Sequence, residues 1–220
     1  MNWIARALVW IADPAHGSGP DGIWALTGQH LAITGWATLV SVVIGVPLGY
    51  CIGHTGRGRQ LVVGLTGAAR ALPAIGLLTL VGLLAGVGLV APLVALTVLA
   101  MPSVIAGAYS GIGSIDPVTV DAARAVGMSE GQVLVKVEIP LGAPQLIGGV
   151  RNAVVQVIAT ATLAAYVGGG GLGVLLFRGL KTQDYPQMLA SAIIIVVLAI
   201  GIDILLGLAA RVVERLVRPA

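Results

Sequence analysis

Residues 116–144 read DPVTVDAARAVGMSEGQVLVKVEIPLGAP, the one long polar interruption in an otherwise apolar chain. Its local chemistry predicts two short helices. Asp116 is a good N-cap and Pro117 fits the first helical position, where its missing N–H costs nothing. A helix from Pro117 to Val126 places Val118, Ala122 and Ala125 on one side. Gly127 is a natural stop, because glycine accepts the left-handed conformation that ends helices. Ser129 restarts the chain, with Gln132 three residues on in a capping-box pattern. Val133, Leu134 and Val137 give the second helix an apolar stripe, and Pro140 and Pro144 are expected to close it. Neither piece is long enough to cross a membrane. Ala122, Ala123 and Gly127 form a small-residue face into which a partner could press. The plain alternative is a solvated loop. Connections between elements usually run about 4–6 residues, so two capped helices over such a length favour docking.

Working outward, the chain has 220 residues, 57% hydrophobic and 10% charged, and a mean hydropathy of +1.01. A soluble domain carries roughly 25% charged residues. This chain cannot cover a globule with polar surface, so lipid must be its main solvent. The single cysteine, Cys51, excludes an internal disulfide and a multi-cysteine metal site. His16, His30 and His54 show no ligand spacing.

Five apolar segments are long enough for a hydrocarbon core of about 30 Å, which takes roughly 20 residues. They are Leu31–Gly53, Leu61 to about Leu84, about Val87 to Ile112, Leu146–Val167 and Met188–Ala210. Before them, Met1–Ala12 reads as an interfacial segment flanked by Trp3 and Trp10, followed by a Pro/Gly/Asp loop from Asp13 to Gly22. The expected division is a segment 1–29, a transmembrane domain 30–212 and a basic tail 213–220. Five spans put the two ends on opposite sides. Arg57, Arg59, Arg124, Lys136, Arg151, Arg211, Arg215 and Arg218 then share one side, and Arg6, Arg178 and Lys181 the other. By the positive-inside rule the polar stretch and C-terminus face the cytoplasm and the N-terminus lies outside.

Pro47, Pro73, Pro92 and Pro102 fall within or near spans, where neighbouring helices or a wet cavity must satisfy the freed backbone groups. Small-residue pairs recur at helical spacing: Gly45 with Gly49, Gly49 with Gly53, Gly82 with Gly86, and Gly107 with Gly111. They permit close helix approach.

At this point the residues resemble a known family. Asp121-Ala122-Ala123, three residues, Gly127, nine residues, Val137, one residue and Ile139-Pro140 match, spacing for spacing, the EAA motif of permease subunits in bacterial ABC importers. Asp stands for Glu, Val for Ile and Ile for Leu. IGVPLG (Ile44–Gly49), RALPAIGLL (Arg70–Leu78) and ATLAAYVGGGGLGVLLFRGL (Ala161–Leu180) look like the glycine betaine/carnitine/choline permeases; D-methionine permeases share much of this pattern. The resemblance implies an all-helical type I importer domain. Its EAA loop would be a coupling helix seated in a groove of a cytoplasmic ATP-binding subunit. Asp121, Ala122, Ala123 and Gly127 would be the docking core, and Val137, Ile139 and Pro140 the return to the fourth span. The implied partners are ATP-binding subunits, a second permease copy or similar paralogue, an extracytoplasmic substrate-binding protein and the bilayer. No nucleic acid, cofactor or metal is implied, and no catalytic residue, since ATP would be hydrolysed by the separate subunit.

Other motifs weigh less. Gly168–Gly173 (GGGGLG) contains a formal GxGxxG, but a nucleotide site needs a strand before it and a helix after. An external turn fits better. Asn152, Gln156, Thr160 and Thr162, with Tyr166, form a polar run in the fourth span. They either line a translocation path or hydrogen-bond between helices. Asp203, about two turns from Arg211, reads as a structural polar contact because no second intramembrane carboxylate accompanies it. Arg70, within the second span, either snorkels or lines a gate. Two rival classes remain. An ATP-independent channel or carrier leaves the capped double helix unexplained. A membrane enzyme lacks paired carboxylates, a Ser/His/Asp cluster and metal spacing.

Overall fold

The computed structural model describes residues 2–58, 60, 64, 66–68 and 71–217, and among them no strand occurs. The helices are α1 (Trp3–Ala12), α2 (Ile23–Thr55), α3 (Ala74–Ala85), α4 (Val90–Gly113), α5 (Pro117–Ala125), α6 (Glu130–Val133), α7 (Ile139–Thr160), α8 (Gly173–Thr182) and α9 (Tyr185–Val217). Leu134–Glu138 is a π-helical turn joining α6 to α7, and Ala161–Val167 is a 3₁₀ extension of α7. By length and composition, four stretches among the described residues could cross a membrane: Ile23–Thr55, Val90–Gly113, Glu130–Val167 and Tyr185–Arg215. The expected second span falls partly outside the described residues, as do Arg59 and Arg70. What is described of it breaks at Pro73, extended at φ −65° and ψ 120°, which starts α3.

The chain folds as two compact units: Met1–Thr38, Leu72–Leu99 and Val154–Ile202; and Leu39–Ala71, Ala100–Ala153 and Asp203–Ala220. The first has an apolar core of Ile23, Leu26, Ile158, Leu172, Leu175 and Ile195. Buried His30 bridges to the Ile158 carbonyl through Nε2 at 2.9 Å. Gln29 Oε1 accepts from the Gly171 N–H at 3.1 Å, tying the glycine loop to α2. No strand precedes that loop; the 3₁₀ turn does. Gly168, Gly170 and Gly171 all have φ near +80°, so the glycines serve the turn itself. Beyond that turn, the segment before the last long helix contains α8. Its ten residues are too few to span a membrane, but Leu175 and Gly179 are buried and hold it helical.

The second unit is built on glycine seams. A Cβ on Gly45 would lie 3.0 Å from Val104 Cγ1, on Gly49 2.5 Å from Ala108 Cβ, and on Gly53 2.9 Å from Ile112 Cβ. Steps of four on α2 meet steps of four on α4 in the same direction. These segments of α2 and α4 therefore run parallel. On α4, Gly107 faces Gly149 and Gly111 faces Gly142 of α7, with hypothetical Cβ distances of 2.6–2.8 Å to opposing backbone atoms. In lipid, helices gain no hydrophobic energy by associating, and close backbone approach supplies dispersion instead. Three of the four small-residue pairs thus sit at helix contacts. Gly82 instead faces Val167, while Gly86 faces open space at φ +85°.

α7 and α9 are joined by an ion pair: Arg151 Nε to Asp203 Oδ1 at 2.5 Å and Arg151 Nη2 to Asp203 Oδ2 at 2.6 Å. Gly207 leaves room for the guanidinium, since a Cβ there would sit 3.2 Å from Arg151 Cζ. The structural polar contact expected of Asp203 is thus made, and not by Arg211, which shares its helix with Asp203. Eight residues along one helix separate those two by about 12 Å, whereas Arg151 faces Asp203 from the neighbouring helix.

A Gly149→Val variant should lose roughly 2 kcal/mol of stability, because the added atoms meet backbone that cannot move aside. Gly148→Ala, with nothing within 4 Å of its Cβ position, should stay within about 1 kcal/mol of the parent. Thermal melts of the two detergent-solubilised variants check the contrast.

Candidate functional site

Asp116 Oδ1 accepts from the Val118 N–H at 2.9 Å, so the N-cap forms as its chemistry requires. α5 ends in a complete double reversal. The Met128 N–H reaches the Ala123 carbonyl at 3.2 Å and the Gly127 N–H reaches the Arg124 carbonyl at 2.9 Å. Gly127 sits at φ +88°, which side chains resist. Gln132 Oε1 then accepts from the Ser129 N–H at 2.9 Å, the returning arm of the capping box.

The faces separate cleanly. Ala123 is buried. Asp121, Ala122, Ala125 and Gly127 are exposed, as are Val118 at 71% and Val126 at 80%. Small and apolar groups without intramolecular cover next to a fixed turn make a surface suited to a partner. Val137 and Ile139 are half-buried and Pro140 is exposed. Ile139 packs with Leu134 and Leu146 against Tyr50, Ala108 and Ile112.

One expectation is corrected. Pro140 and Pro144 do not close the second helix. Both lie in α7, with Pro144 inside it. The π-turn at Leu134–Glu138 widens the ladder just before Pro140, so the donor that proline lacks falls at a junction already out of α-register. The segment from Glu130 therefore runs helically through Glu138 into α7.

Charges stitch the element together. Arg124 bonds Glu130 twice, Nε to Oε1 at 2.9 Å and Nη2 to Oε2 at 3.0 Å, and reaches Asp121 Oδ1 at 3.3 Å. Hydrogen bonding to Glu130, with smaller help from its charge and from Asp121, raises the Arg124 pKa. Beyond Glu130 stands His54, at the end of α2, with Nε2 3.4 Å from Glu130 Oε2 and Nδ1 2.6 Å from Glu138 Oε2. Sequence reasoning gave neither His54 nor Glu138 a role. They lie 84 positions apart, and no local spacing marks such a pair.

The polar run of the fourth span is largely engaged with backbone. Gln156 Nε2 donates to the Leu99 carbonyl at 3.2 Å. Thr160 Oγ1 bonds back to the Gln156 carbonyl, and Thr162 Oγ1 to the Ala159 carbonyl at 2.9 Å. Asn152 and Tyr166 are exposed. Among the described residues no group of three or more His, Cys, Asp or Glu could hold a metal ion.

Residues 41–219 match the family model described as binding-protein-dependent transport system inner membrane component. The chain is 32% identical to the glycine betaine/carnitine/choline transport system permease protein OpuCB of Bacillus subtilis, over 88% of this chain and 87% of that one. It is 35% identical to the osmoprotectant import permease protein OsmW of Salmonella typhimurium, over 83% and 87%. Its fold is similar to that of the MetNI methionine ABC transporter in an inward-facing conformation, with a TM-score of 0.76 at 23% identity, covering 87% of this chain and 95% of that chain. The chain belongs to the family of binding-protein-dependent transport system inner membrane components and is a multi-pass permease subunit of the ABC importer class.

Proposed function

We propose that this permease moves a compatible solute of the glycine betaine, carnitine or choline kind, driven through residues 116–144. The observation that carries the drive is the element ending at Gly127: a capped helix, a fixed reversal at φ +88°, and an exposed face of Ala122, Ala125, Val118 and Val126. A partner groove would cover that face. Asp121, Ala122, Ala123 and Gly127 form the docking core for a cytoplasmic ATP-binding subunit. Val137, Ile139 and Pro140 carry its displacement into the fourth span. The charge distribution supports a cytoplasmic docking element and C-terminus with the N-terminus outside. A second permease, identical or a similar paralogue, completes the pathway, and an external binding protein delivers the solute. The proposed domain division is 1–29, 30–212 and 213–220. Asn152, Gln156, Thr160, Thr162 and Tyr166 are the proposed lining of the path. ATP hydrolysis is assigned to the partner subunit.

Substrate rests on the named relatives, OpuCB and OsmW. Tyr50, Tyr109, Tyr166 and Tyr185 lie in or at the ends of the apolar stretches; a tight ammonium cage needs several aromatic faces together, so recognition is assigned mainly to the binding protein.

Two tests follow. Gly127→Val forces a β-branched residue into the left-handed region, at a cost of about 1–2 kcal/mol. It should abolish co-purification of the ATP-binding subunit while membrane insertion persists; unchanged co-purification counts against docking here. In cells expressing the whole transporter, labelled glycine betaine uptake should be competed by carnitine or choline. Uptake of D-methionine alone would reassign the substrate.

A further inference from the structure

The docking element touches α2 in two ways. One is the apolar cluster of Tyr50, Ala108 and Ile112 with Val46, Leu134, Ile139 and Leu146. The other is polar and passes through a single side chain. His54, in the last turn of α2, presents Nδ1 to Glu138 Oε2 at 2.6 Å and Nε2 to Glu130 Oε2 at 3.4 Å. Carboxylate oxygens accept only, so Nδ1 donates to Glu138, while Nε2 stands within ion-pair reach of Glu130. The two carboxylates belong to different parts of the docking element: Glu130 opens α6 at the surface, and Glu138 ends the π-turn. Glu138 is 4% exposed, and among the described residues its hydrogen-bond partner is His54. A buried carboxylate held by one donor fixes that donor's place, because losing it leaves the charge uncompensated. Glu130 is in turn gripped twice by Arg124 of α5. A continuous polar line therefore runs Asp121–Arg124–Glu130–His54–Glu138, from the docking face to α2 and back to the root of α7.

We propose that His54 is a positioning residue for coupling: it ties the end of α2 to the docking element, so that a push on α5 moves α2 together with α7. This rests on residues 116–144 being the docking element. The apolar cluster keeps that element folded and attached when His54 is changed, so the polar tie separates coupling from assembly.

The test uses the complete transporter in proteoliposomes. Labelled glycine betaine taken up per ATP hydrolysed is read beside co-purification of the ATP-binding subunit; should the uptake panel exclude glycine betaine, labelled D-methionine replaces it. His54→Ala should keep the ATP-binding subunit bound and lower solute moved per ATP roughly tenfold, the effect expected for one lost charge-assisted hydrogen bond. His54→Asn places an amide donor where Nδ1 stands and should restore most of the ratio through Glu138. His54→Gln places its donor toward Glu130 and should stay near the alanine variant. A wild-type ratio in His54→Ala overturns the proposal, as does loss of the ATP-binding subunit from it. If His54→Ala does not fold, His54→Asn and His54→Gln decide between themselves: a ratio for Gln equal to or above that for Asn overturns it. Failure of the docking reading looks different, because it leaves Gly127→Val bound to the ATP-binding subunit.

Discussion

Backbone meets backbone where α4 passes α7, at Gly107 against Gly149 and Gly111 against Gly142. Much of the second unit depends on that approach. Lipid offers no hydrophobic reward for bringing two apolar helices together, so association has to come from close packing and shared polar groups. The four glycines let the helix surfaces interlock without side chains between them. Gly45, Gly49 and Gly53 do the same for α2 against α4. With three helices fixed at their backbones, the ends of α2 and α7 become a rigid base. The proposed docking element, residues 116–144, is joined to that base through α7.

The proposed drive through residues 116–144 calls for a stiff joint and a fixed tip. The tip is the reversal at Gly127, where two backbone hydrogen bonds close the end of α5. The joint is the π-turn at Leu134–Glu138, which passes the chain into α7 without a break. A flexible loop would absorb a partner's push. Under the proposed drive, a helix that continues through Pro140 would transmit it. Arg151 and Asp203 tie α9 to α7 within the second unit. The structure accordingly gives Asp203 a structural contact rather than a proton-relay geometry.

How much of this could be read from residues alone depended on range. Asp116, Pro117, Gly127 and the Ser129/Gln132 pair act on backbone within four positions, so their chemistry is written locally and they emerge as anticipated. The seam glycines were visible as spacings, though not as partners; Gly82 and Gly86 have the same spacing and a different fate. Contacts across 84 and 52 positions, His54 with Glu138 and Arg151 with Asp203, leave no periodic trace. They arise only once the helices pack side by side. Pro140 misled for a related reason. Proline normally ends an α-helix because of its missing donor, but the π-turn supplies a junction where that loss falls harmlessly, and nothing in the local sequence announces it. α8 escaped notice because its helical state comes from burial of Leu175 and Gly179 rather than from length.

The central claim is that this chain is driven from outside itself, by an ATP-hydrolysing subunit seated on residues 116–144. Solute uptake into proteoliposomes, with ATP enclosed and the binding protein outside, tests that most directly. Uptake should require the permease, the ATP-binding subunit and ATP together, and should vanish when any one is omitted. Uptake that persists without the ATP-binding subunit would contradict the account, and would make the chain a channel or carrier in its own right.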